Sequence, residues 1–326
     1  MIDRLGRNID YLRISVTDRC NLRCIYCMPE NGLKLVDRSC ILQEDEILRI
    51  CCVMAELGIS KIKLTGGEPL VRRGMPRLTA RLKEIPGIEK VTLTTNGILL
   101  KNEMADFARA GLDGLNISLD AMDDSCYRKI SRRDHLKETL EGMEEALKYP
   151  EISLKINCVP LGISGQDLCA VAALAENYPI HVRFIEMMPI GYGKEFAGMS
   201  EDQVIRILEE KFGVLVPYEG EKLGNGPCHY YSVKGFRGKI GFISAISHKF
   251  CGECNRIRLT SQGYLKTCLQ YTAGKDLREV IRTGGTDEQL KASILAALAE
   301  KPAGHAFLEK AKKDETETLC MSQIGG

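Results

Sequence analysis

Short apolar runs alternate with longer amphipathic stretches over the first two thirds of the chain. The short runs are rich in Val, Ile, Leu and Thr, and this composition predicts β-strands. Six such strands are expected, at residues 11–18, 61–65, 90–95, 114–120, 152–159 and 181–187.

The stretches between these strands predict helices. The clearest helix covers residues 43–57, where Ile47, Ile50 and Met54 lie on one helical stripe and Gly58 ends the segment. Further helices are expected at residues 76–84, 102–110, 136–147, 165–176 and 201–212.

Six strand-then-helix units in series predict an α/β fold with a parallel sheet and right-handed crossovers. A closed barrel of this type has eight such units. We therefore expect an incomplete barrel whose open side is covered by another part of the chain. In such folds ligands bind at the carboxyl ends of the strands.

The alternation of strands and helices ends near residue 213. A stretch rich in Gly, Glu and Lys follows, and then two short runs, 230–233 and 239–244, predict an antiparallel pair. A cysteine-rich segment and further helices complete the chain. We expect two domains, a partial barrel at residues 1–212 and a cover for its open side at residues 213–326.

Composition narrows the class of protein. The chain has 326 residues, 44% of them hydrophobic, and a formal net charge of +1, which excludes a disordered chain and a general polycation that binds nucleic acid nonspecifically. No run approaches 18 apolar residues and no secretory signal opens the chain, so we expect a cytoplasmic protein without a membrane span. Its 14 cysteines are then reduced thiols, available as metal ligands.

Three cysteines lie close together after the first predicted strand. Cys20, Cys24 and Cys27, the first triad, can hold three irons of a 4Fe-4S cube and leave the fourth iron open to a small molecule. Two alternatives use fewer of these thiols. Cys24 and Cys27 alone would make a redox pair, and together with Cys251 and Cys254 they would make a four-thiolate zinc site.

A second triad, Cys251, Cys254 and Cys268, lies in the C-terminal part. It would hold a second cube with an open iron. Arg256 and Arg258 are two residues apart and lie on one face if this segment is a strand. An open iron beside two guanidinium groups suits a ligand that offers both a coordinating atom and phosphate groups.

A zinc ribbon that binds nucleic acid is the alternative interpretation of this segment. It requires a fourth ligand, which Cys228 or His248 would have to supply. It predicts a colourless protein, whereas two cubes predict a brown protein with about eight iron atoms.

Four cations lie in the middle of predicted strands between apolar neighbours: Arg13, Lys63, Lys155 and Arg183. Burial of a cation against the helix layer without a partner is very unfavourable. We therefore expect all four side chains to face the inside of the barrel and to form a basic cavity for an anionic ligand.

The cysteine spacing of the first triad, with Tyr26 before its last cysteine and Gly-Gly-Glu-Pro at residues 66–69, resembles the radical S-adenosylmethionine superfamily. The pattern Cys-x2-Cys-Asn-Arg-x-Arg-Leu-Thr at residues 251–260 and the terminal Gly325-Gly326 are similar to one family within it, the GTP 3′,8-cyclases of molybdenum cofactor biosynthesis. This resemblance runs from about residue 11 to the end of the chain.

The resemblance implies an incomplete (β/α)6 barrel, with a C-terminal α+β domain that carries an auxiliary cluster. It implies that the first triad ligates a 4Fe-4S cluster whose open iron binds S-adenosylmethionine. The second triad would ligate an auxiliary 4Fe-4S cluster whose open iron binds the guanine base of GTP. The residues expected to contact S-adenosylmethionine are Tyr26, Gly66, Gly67, Glu68, Ser118 and Met188.

The resemblance also implies the reaction. A 5′-deoxyadenosyl radical abstracts a hydrogen from C3′ of GTP, the carbon radical attacks C8, and reduction yields 3′,8-cyclo-7,8-dihydroguanosine triphosphate. Arg256, Arg258, Gly325 and Gly326 would assist this chemistry; a frayed tail is the alternative for the two glycines. The residues expected to bind GTP are Arg13, Lys63, Thr94, Lys155, Arg183, Arg256 and Arg258.

The expected partners are an external electron donor and the cyclic pyranopterin monophosphate synthase, which would receive the product. We expect no nucleic acid and no membrane partner, and a monomer or homodimer. A peptide-modifying radical enzyme with an auxiliary cluster is the second enzyme hypothesis, but the paired arginines beside only three cysteines favour a phosphorylated small molecule.

Overall fold

Six parallel strands form the centre of the sheet in the computed structural model, which describes residues 1–308 and 316–325. Each strand pairs with the next one along the chain. All six predicted strands are therefore confirmed, as is their parallel order. They are β1 (Tyr11–Ser15), β2 (Lys61–Thr65), β3 (Lys90–Thr95), β4 (Gly114–Ser118), β5 (Ser153–Cys158) and β6 (His181–Ile185).

Helices connect these strands and cover the outer face of the sheet. Six of them were predicted: α1 (Glu44–Glu56), α2 (Met75–Lys83), α3 (Met104–Arg109), α5 (Leu136–Ala146), α6 (Leu168–Asn177) and α7 (Glu201–Phe212). The sequence did not predict α4 (Asp124–Ser131), which is short and largely polar. It begins where the Asp123 side chain accepts from the Cys126 amide and ends where Arg132 adopts a left-handed conformation.

The C-terminal part adds strands to both edges of the central sheet. β9 (Ile240–Ile243) pairs parallel with β6, and β10 (Arg256–Leu259) pairs parallel with β1. The predicted antiparallel pair is confirmed as β8 (His229–Ser232) with β9. The remaining elements are β7 (Val216–Pro217), β11 (Tyr264–Lys266), β12 (Gly274–Asp276), α8 (Leu277–Arg282), α9 (Asp287–Ala299) and α10 (Met321–Ile324).

Eight parallel strands thus follow one another in the order β10-β1-β2-β3-β4-β5-β6-β9. Over residues 1–308 and 316–325, β9 and β10 do not pair with each other, so the barrel stays open between them. The C-terminal part therefore extends the barrel wall at both edges. The domain boundary at residue 213 stays a prediction.

Side chains alternate between the two faces of the strands. On β1 and β2, Leu12, Ile14, Ile62 and Leu64 are fully buried against the helix layer. The residues between them are polar or charged and face the interior of the barrel. The apolar core therefore lies outside the strands, and the inside is a polar cavity. Within the described ranges, no helix has the length and apolar character needed to cross a membrane.

Arg7 joins the N-terminal arm to the C-terminal part. Its guanidinium pairs with Asp3 at 2.6 Å, and the side chains of both residues are buried. It also donates to the carbonyl oxygens of Cys251 at 2.9 Å and Pro302 at 2.8 Å. One side chain thus connects three segments that are distant in sequence.

Replacement of Arg7 by Met should lower the free energy of unfolding by about 3–5 kcal/mol, because it leaves a buried carboxylate unpaired. Urea unfolding of the cluster-free protein measures this loss. The control is Arg4→Met, since Arg4 is exposed. Equal stability of the two variants would contradict a structural role for Arg7.

Candidate active site

A cavity of about 710 Å³ occupies the interior of the barrel. Alternate residues of the central strands and of β10 line it, so the strand periodicity determines which side chains enter. They include all seven residues predicted to bind GTP and several polar groups that were not predicted. The lining includes Tyr11, Arg13, Lys63, Thr92, Thr94, Asn116, Lys155, Asn157, His181, Arg183, Arg256 and Arg258.

The two cysteine triads lie near opposite ends of the strands that surround this cavity. The first triad follows the carboxyl end of β1 and lines the cavity. Cys251 and Cys254 precede β10, whose Arg256 lies opposite Tyr11 at the amino end of β1. Five strand residues at about 3.3 Å each separate these ends by roughly 16 Å. The alternative interpretation, a zinc site shared between Cys24, Cys27, Cys251 and Cys254, is therefore wrong.

The second triad is assembled from separate segments. β11 runs antiparallel to β10 with Lys266 opposite Arg258, so the chain returns toward the amino end of β10 before it reaches Cys268. There the Lys301 ammonium donates to the Cys254 sulfur at 3.7 Å and to the Thr267 carbonyl at 2.6 Å. These contacts hold the two cysteine-bearing segments side by side.

The two cysteine triads fit 4Fe-4S clusters better than they fit single metal ions. Among residues 1–308 and 316–325, no three His, Cys, Asp or Glu side chains converge on the position of one metal ion. In a cube each thiolate ligates a different iron, so three thiols need not converge. Backbone amides donate to one sulfur in each triad, from Leu22 to Cys20 at 3.4 Å and from His305 to Cys251 at 3.5 Å, as outer contacts of metal ligands do.

The two alternative fourth ligands of a zinc ribbon lie in other surroundings. His248 Nδ1 is 3.3 Å from the carboxylate of Glu201, and Cys228 lines the barrel cavity. The described residues around the second triad therefore do not support the zinc ribbon.

Burial keeps the thiols of the first triad protonated in the metal-free protein. It raises the pKa of Cys20 to about 12, with Glu68 adding to the effect, and the pKa of Cys27 to about 11. Cys254 differs, because the nearby charges of Lys301 and Arg256 outweigh burial and lower its pKa. Metal binding must displace the thiol protons, so loading of the first triad is coupled to proton release.

The Gly-Gly-Glu-Pro segment packs against the loop of the first triad. A Cβ atom would lie 2.7 Å from the Thr17 carbonyl oxygen at Gly66, and 2.3 Å from that of Arg19 at Gly67. The Gly67 amide donates to the Thr17 carbonyl at 2.8 Å. Two glycines are needed here because the two backbones touch.

Glu68 connects the loops that follow β2 and β3. Its carboxylate accepts from the Leu70 amide at 2.9 Å, the Thr95 hydroxyl at 2.7 Å and the Asn96 amide at 2.7 Å. Burial raises its pKa to about 7, although these hydrogen bonds oppose that shift. Contact between Glu68 and S-adenosylmethionine stays a prediction.

Asp120 was not predicted as a site residue. The Tyr26 hydroxyl donates to its carboxylate at 2.6 Å, and the Val159 amide does so at 2.8 Å. Burial raises the pKa of Asp120 to about 6. In the sequence, an acidic residue at the end of the fourth predicted strand was the signal that could have identified Asp120 as a site residue. Ser118 and Met188 line the cavity with Tyr26, and their contact with S-adenosylmethionine stays a prediction.

The cations of the cavity face one another. Lys63 and Lys155 are 6% and 7% exposed. Burial lowers the pKa of Lys63 well below its usual value, and the charged groups that add to this effect are Arg13, Arg183 and Lys155. Burial likewise lowers the pKa of Arg13 to about 10 and that of Arg258 well below its usual range. Such a cluster requires an anionic ligand.

Neutral partners orient two of these cations. Arg183 donates to the Asn157 side-chain oxygen at 3.0 Å, and Lys155 donates to the Ser153 hydroxyl at 2.6 Å. Asn157 was not predicted, and its position two residues after Lys155 on the same strand face could have indicated it. Thr94 accepts from the Asn116 amide at 3.2 Å.

Because Lys155 is one of the residues predicted to bind GTP, its titration should make GTP binding depend on pH. Burial, with repulsion from Arg183, lowers its pKa from 10.5 to about 8. In the free protein Lys155 therefore loses its charge as the pH rises through 8, and each further unit lowers the charged fraction by about tenfold. The affinity for GTP should fall accordingly above pH 8. Over the same range the free protein should gain stability, because the unfolded chain still holds the proton.

Equilibrium dialysis with GTP between pH 7 and 9.5 measures this dependence. Lys155→Arg keeps the charge and should flatten the decline, which separates it from titration of the nucleotide. An equal decline in both proteins would contradict the role of Lys155.

The C-terminal tail enters the same cavity. The Gly325 carbonyl accepts from Arg258 at 2.6 Å. Gly325 has a φ of +92°, and a Cβ atom there would lie 2.9 Å from that of Ser15. Met321 and Ser322 line the cavity as well. The tail up to Gly325 is therefore not frayed, whereas Gly326 lies outside the described residues.

Two family models match the chain. The radical SAM superfamily matches residues 14–175, and Molybdenum Cofactor Synthesis C matches residues 180–307. These matches agree with the two cysteine triads, since each matched range contains one of them.

Curated relatives match over the full length of the chain. A protein of Clostridium perfringens (strain SM101 / Type A) named GTP 3′,8-cyclase is 43% identical over 327 residues, covering 100% of both chains. Proteins of the same name from Heliobacterium modesticaldum and Syntrophomonas wolfei are 43% and 42% identical over 330 residues, again with 100% coverage of both chains.

Solved structures share the fold at low identity. SuiB of Streptococcus suis bound to S-adenosylmethionine has a TM-score of 0.64 at 14% identity, covering 91% of this chain and 67% of its own. A structure titled native anSMEcpe with bound AdoMet has a TM-score of 0.58 at 15% identity, covering 91% and 82%. At this identity the likeness shows the radical SAM fold alone.

Proposed function

This chain belongs to the GTP 3′,8-cyclase family, and from that premise we propose that its barrel cavity converts GTP into 3′,8-cyclo-7,8-dihydroguanosine triphosphate for molybdenum cofactor biosynthesis. The observation that carries the proposal is the position of a cation cluster inside the barrel, between the first triad at the carboxyl end of the strands and the second triad near their amino end. The peptide-modifying alternative has no comparable support, since SuiB, which has also been solved bound to the precursor peptide SuiA, is only 14% identical.

Cofactor chemistry is proposed for the carboxyl end of the strands. When bound there, the 4Fe-4S cluster and S-adenosylmethionine would supply the 5′-deoxyadenosyl radical that abstracts hydrogen from C3′. Cys20, Cys24 and Cys27 would hold this cluster. Tyr26, fixed by its hydrogen bond to Asp120, would form part of the wall of the cofactor site. The other proposed wall residues are Gly66, Gly67, Glu68, Ser118 and Met188.

The cations between the two ends would bind the triphosphate. Lys63 and Lys155 are buried beside the partly buried Arg13 and Arg183, so a polyanion removes the repulsion among them. Their side chains are held on strands and need little reorganisation when the ligand binds.

The arginines of β10 lie next to the second triad. Arg256 and Arg258 would hold the substrate beside the auxiliary cluster, whose open iron would bind the guanine base. Arg258 also holds the Gly325 carbonyl, so the tail and the substrate share one anchor. We therefore propose that the tail excludes water from the cavity while the carbon radical attacks C8.

The same proposal includes the partners. An external electron donor would reduce the first cluster, and the product would pass to the cyclic pyranopterin monophosphate synthase. Fourteen free thiols in the described structure suit a reducing, cytoplasmic compartment. A monomer or homodimer is proposed.

Release of 5′-deoxyadenosine tests the substrate. Anaerobically reconstituted protein with dithionite and S-adenosylmethionine should release 5′-deoxyadenosine in a GTP-dependent manner. ATP lacks the guanine base and guanosine lacks the triphosphate. Both should therefore stimulate the release of 5′-deoxyadenosine far less than GTP does. Release that is independent of the nucleotide would contradict the proposed substrate.

A further inference from the structure

Lys301 is a buried lysine at the second triad that no motif predicted. It lies two residues beyond α9, and its side chain is among the largest fully buried ones of the described residues, at 2% exposure. Burial of an ammonium group is very unfavourable unless an anion or a set of strong acceptors compensates it. The groups around Lys301 therefore indicate which negative charge its ammonium compensates.

Three acceptors surround the Lys301 ammonium. They are the Thr267 carbonyl at 2.6 Å, the Arg256 carbonyl at 2.9 Å and the Cys254 sulfur at 3.7 Å. Two of the acceptors are neutral, so they satisfy hydrogen bonds without offsetting the charge. The groups near the ammonium that become negative on deprotonation are the thiols of Cys254 and Cys268.

The ammonium also connects the segments of the second triad. Thr267 directly precedes Cys268, and Arg256 follows Cys254 by two residues. These contacts place one positive charge against the Cys254 sulfur and against the residue that directly precedes Cys268. Thiols must be deprotonated to ligate iron, so the anionic partner of Lys301 is complete only when the cluster is loaded.

We propose that Lys301 is the buried countercharge of the auxiliary cluster and a positioning residue for Cys254 and Cys268. This inference rests on the proposed ligation of that cluster by the second triad. A fixed positive charge beside the cluster stabilises the form with one more electron, so Lys301 raises its reduction potential. It also stabilises the loaded protein more than the cluster-free protein.

The test measures the auxiliary cluster alone. A variant with Cys20→Ala, Cys24→Ala and Cys27→Ala removes the first cluster, and about four iron atoms should remain per chain after anaerobic reconstitution. An EPR-monitored redox titration then gives the potential of the remaining cluster. Failure of this background to hold iron would contradict the proposed ligands, and with them both the proposed function and the role of Lys301.

Three substitutions in this background separate charge from shape. Lys301→Met should lower the ratio of reduced to oxidised cluster about tenfold at a given potential, a shift of about 59 mV to more negative values. Lys301→Arg should keep most of the wild-type potential. The control is Lys291→Met on α9, where the lysine pairs with Glu56 and Glu288 at the surface, and it should change nothing.

Equal potentials in Lys301→Met and the background would overturn the proposal, as would equal shifts in the Met and Arg variants. Urea unfolding provides a second measurement, which remains informative if Lys301→Met binds iron poorly. The loss of stability should be larger in the loaded protein than in the cluster-free protein. Equal losses would show a purely structural role for Lys301.

Discussion

Replacement of Cys251, Cys254 and Cys268 by alanine should reduce the iron content from about eight to about four atoms per chain and abolish cyclisation of GTP. The reason is that the auxiliary iron proposed to bind guanine is lost while the first triad, roughly 16 Å away along the strands, stays intact. Slow cleavage of S-adenosylmethionine without GTP should therefore persist. Iron analysis and chromatography of 5′-deoxyadenosine and of the cyclised product measure the three quantities.

The matched control removes three cysteines outside both triads. Cys40, Cys52 and Cys169 are free thiols in the described structure and do not line the cavity. Their replacement by alanine should leave iron content and cyclisation unchanged. Full iron content after loss of the second triad would contradict a cluster at this position.

Replacement of Lys63 by methionine should weaken GTP binding and stabilise the free protein at the same time. Loss of one buried charge that faces an anion typically costs about 2–5 kcal/mol of binding, at least roughly 30-fold in affinity. The free protein gains stability because Lys63 is 6% exposed and the charged groups acting on it are other cations. Calorimetric titration with GTP and thermal unfolding without GTP measure the two effects.

Lys137→Met serves as the control, since the Lys137 side chain is 86% exposed on α5. It should change neither quantity. A decrease in the stability of the free Lys63→Met protein, with GTP affinity unchanged, would mean that Lys63 supports the fold and does not serve the ligand.

The strands of the central sheet could be predicted closely because their side chains alternate with period two. Lys63 shows this well, since its two apolar neighbours pack outward and leave its own side chain inside. The same periodicity placed Arg256 and Arg258 on one face. Among the apolar residues of these strands only the cations indicated a ligand, so the neutral Asn157 on β5 and the acidic Asp120 just beyond β4 were not predicted.

Long-range pairing could not be predicted from local pattern. Nothing in residues 256–259 indicates that β10 pairs with β1, because any parallel strand with an apolar outer face satisfies the same alternation. That pairing places the two triads far apart and therefore excludes a zinc site shared between them. Lys301 was missed for a similar reason, since its role depends on segments near residues 254, 267 and 301 that meet only in the folded chain.

Hydrogen transfer from the ribose tests the central claim most directly. Anaerobic turnover of GTP deuterated at C3′ should yield 5′-deoxyadenosine that carries one deuterium, as measured by mass spectrometry, together with a cyclised product that has lost it. Unlabelled 5′-deoxyadenosine formed alongside the cyclised product would contradict abstraction from C3′ in this cavity.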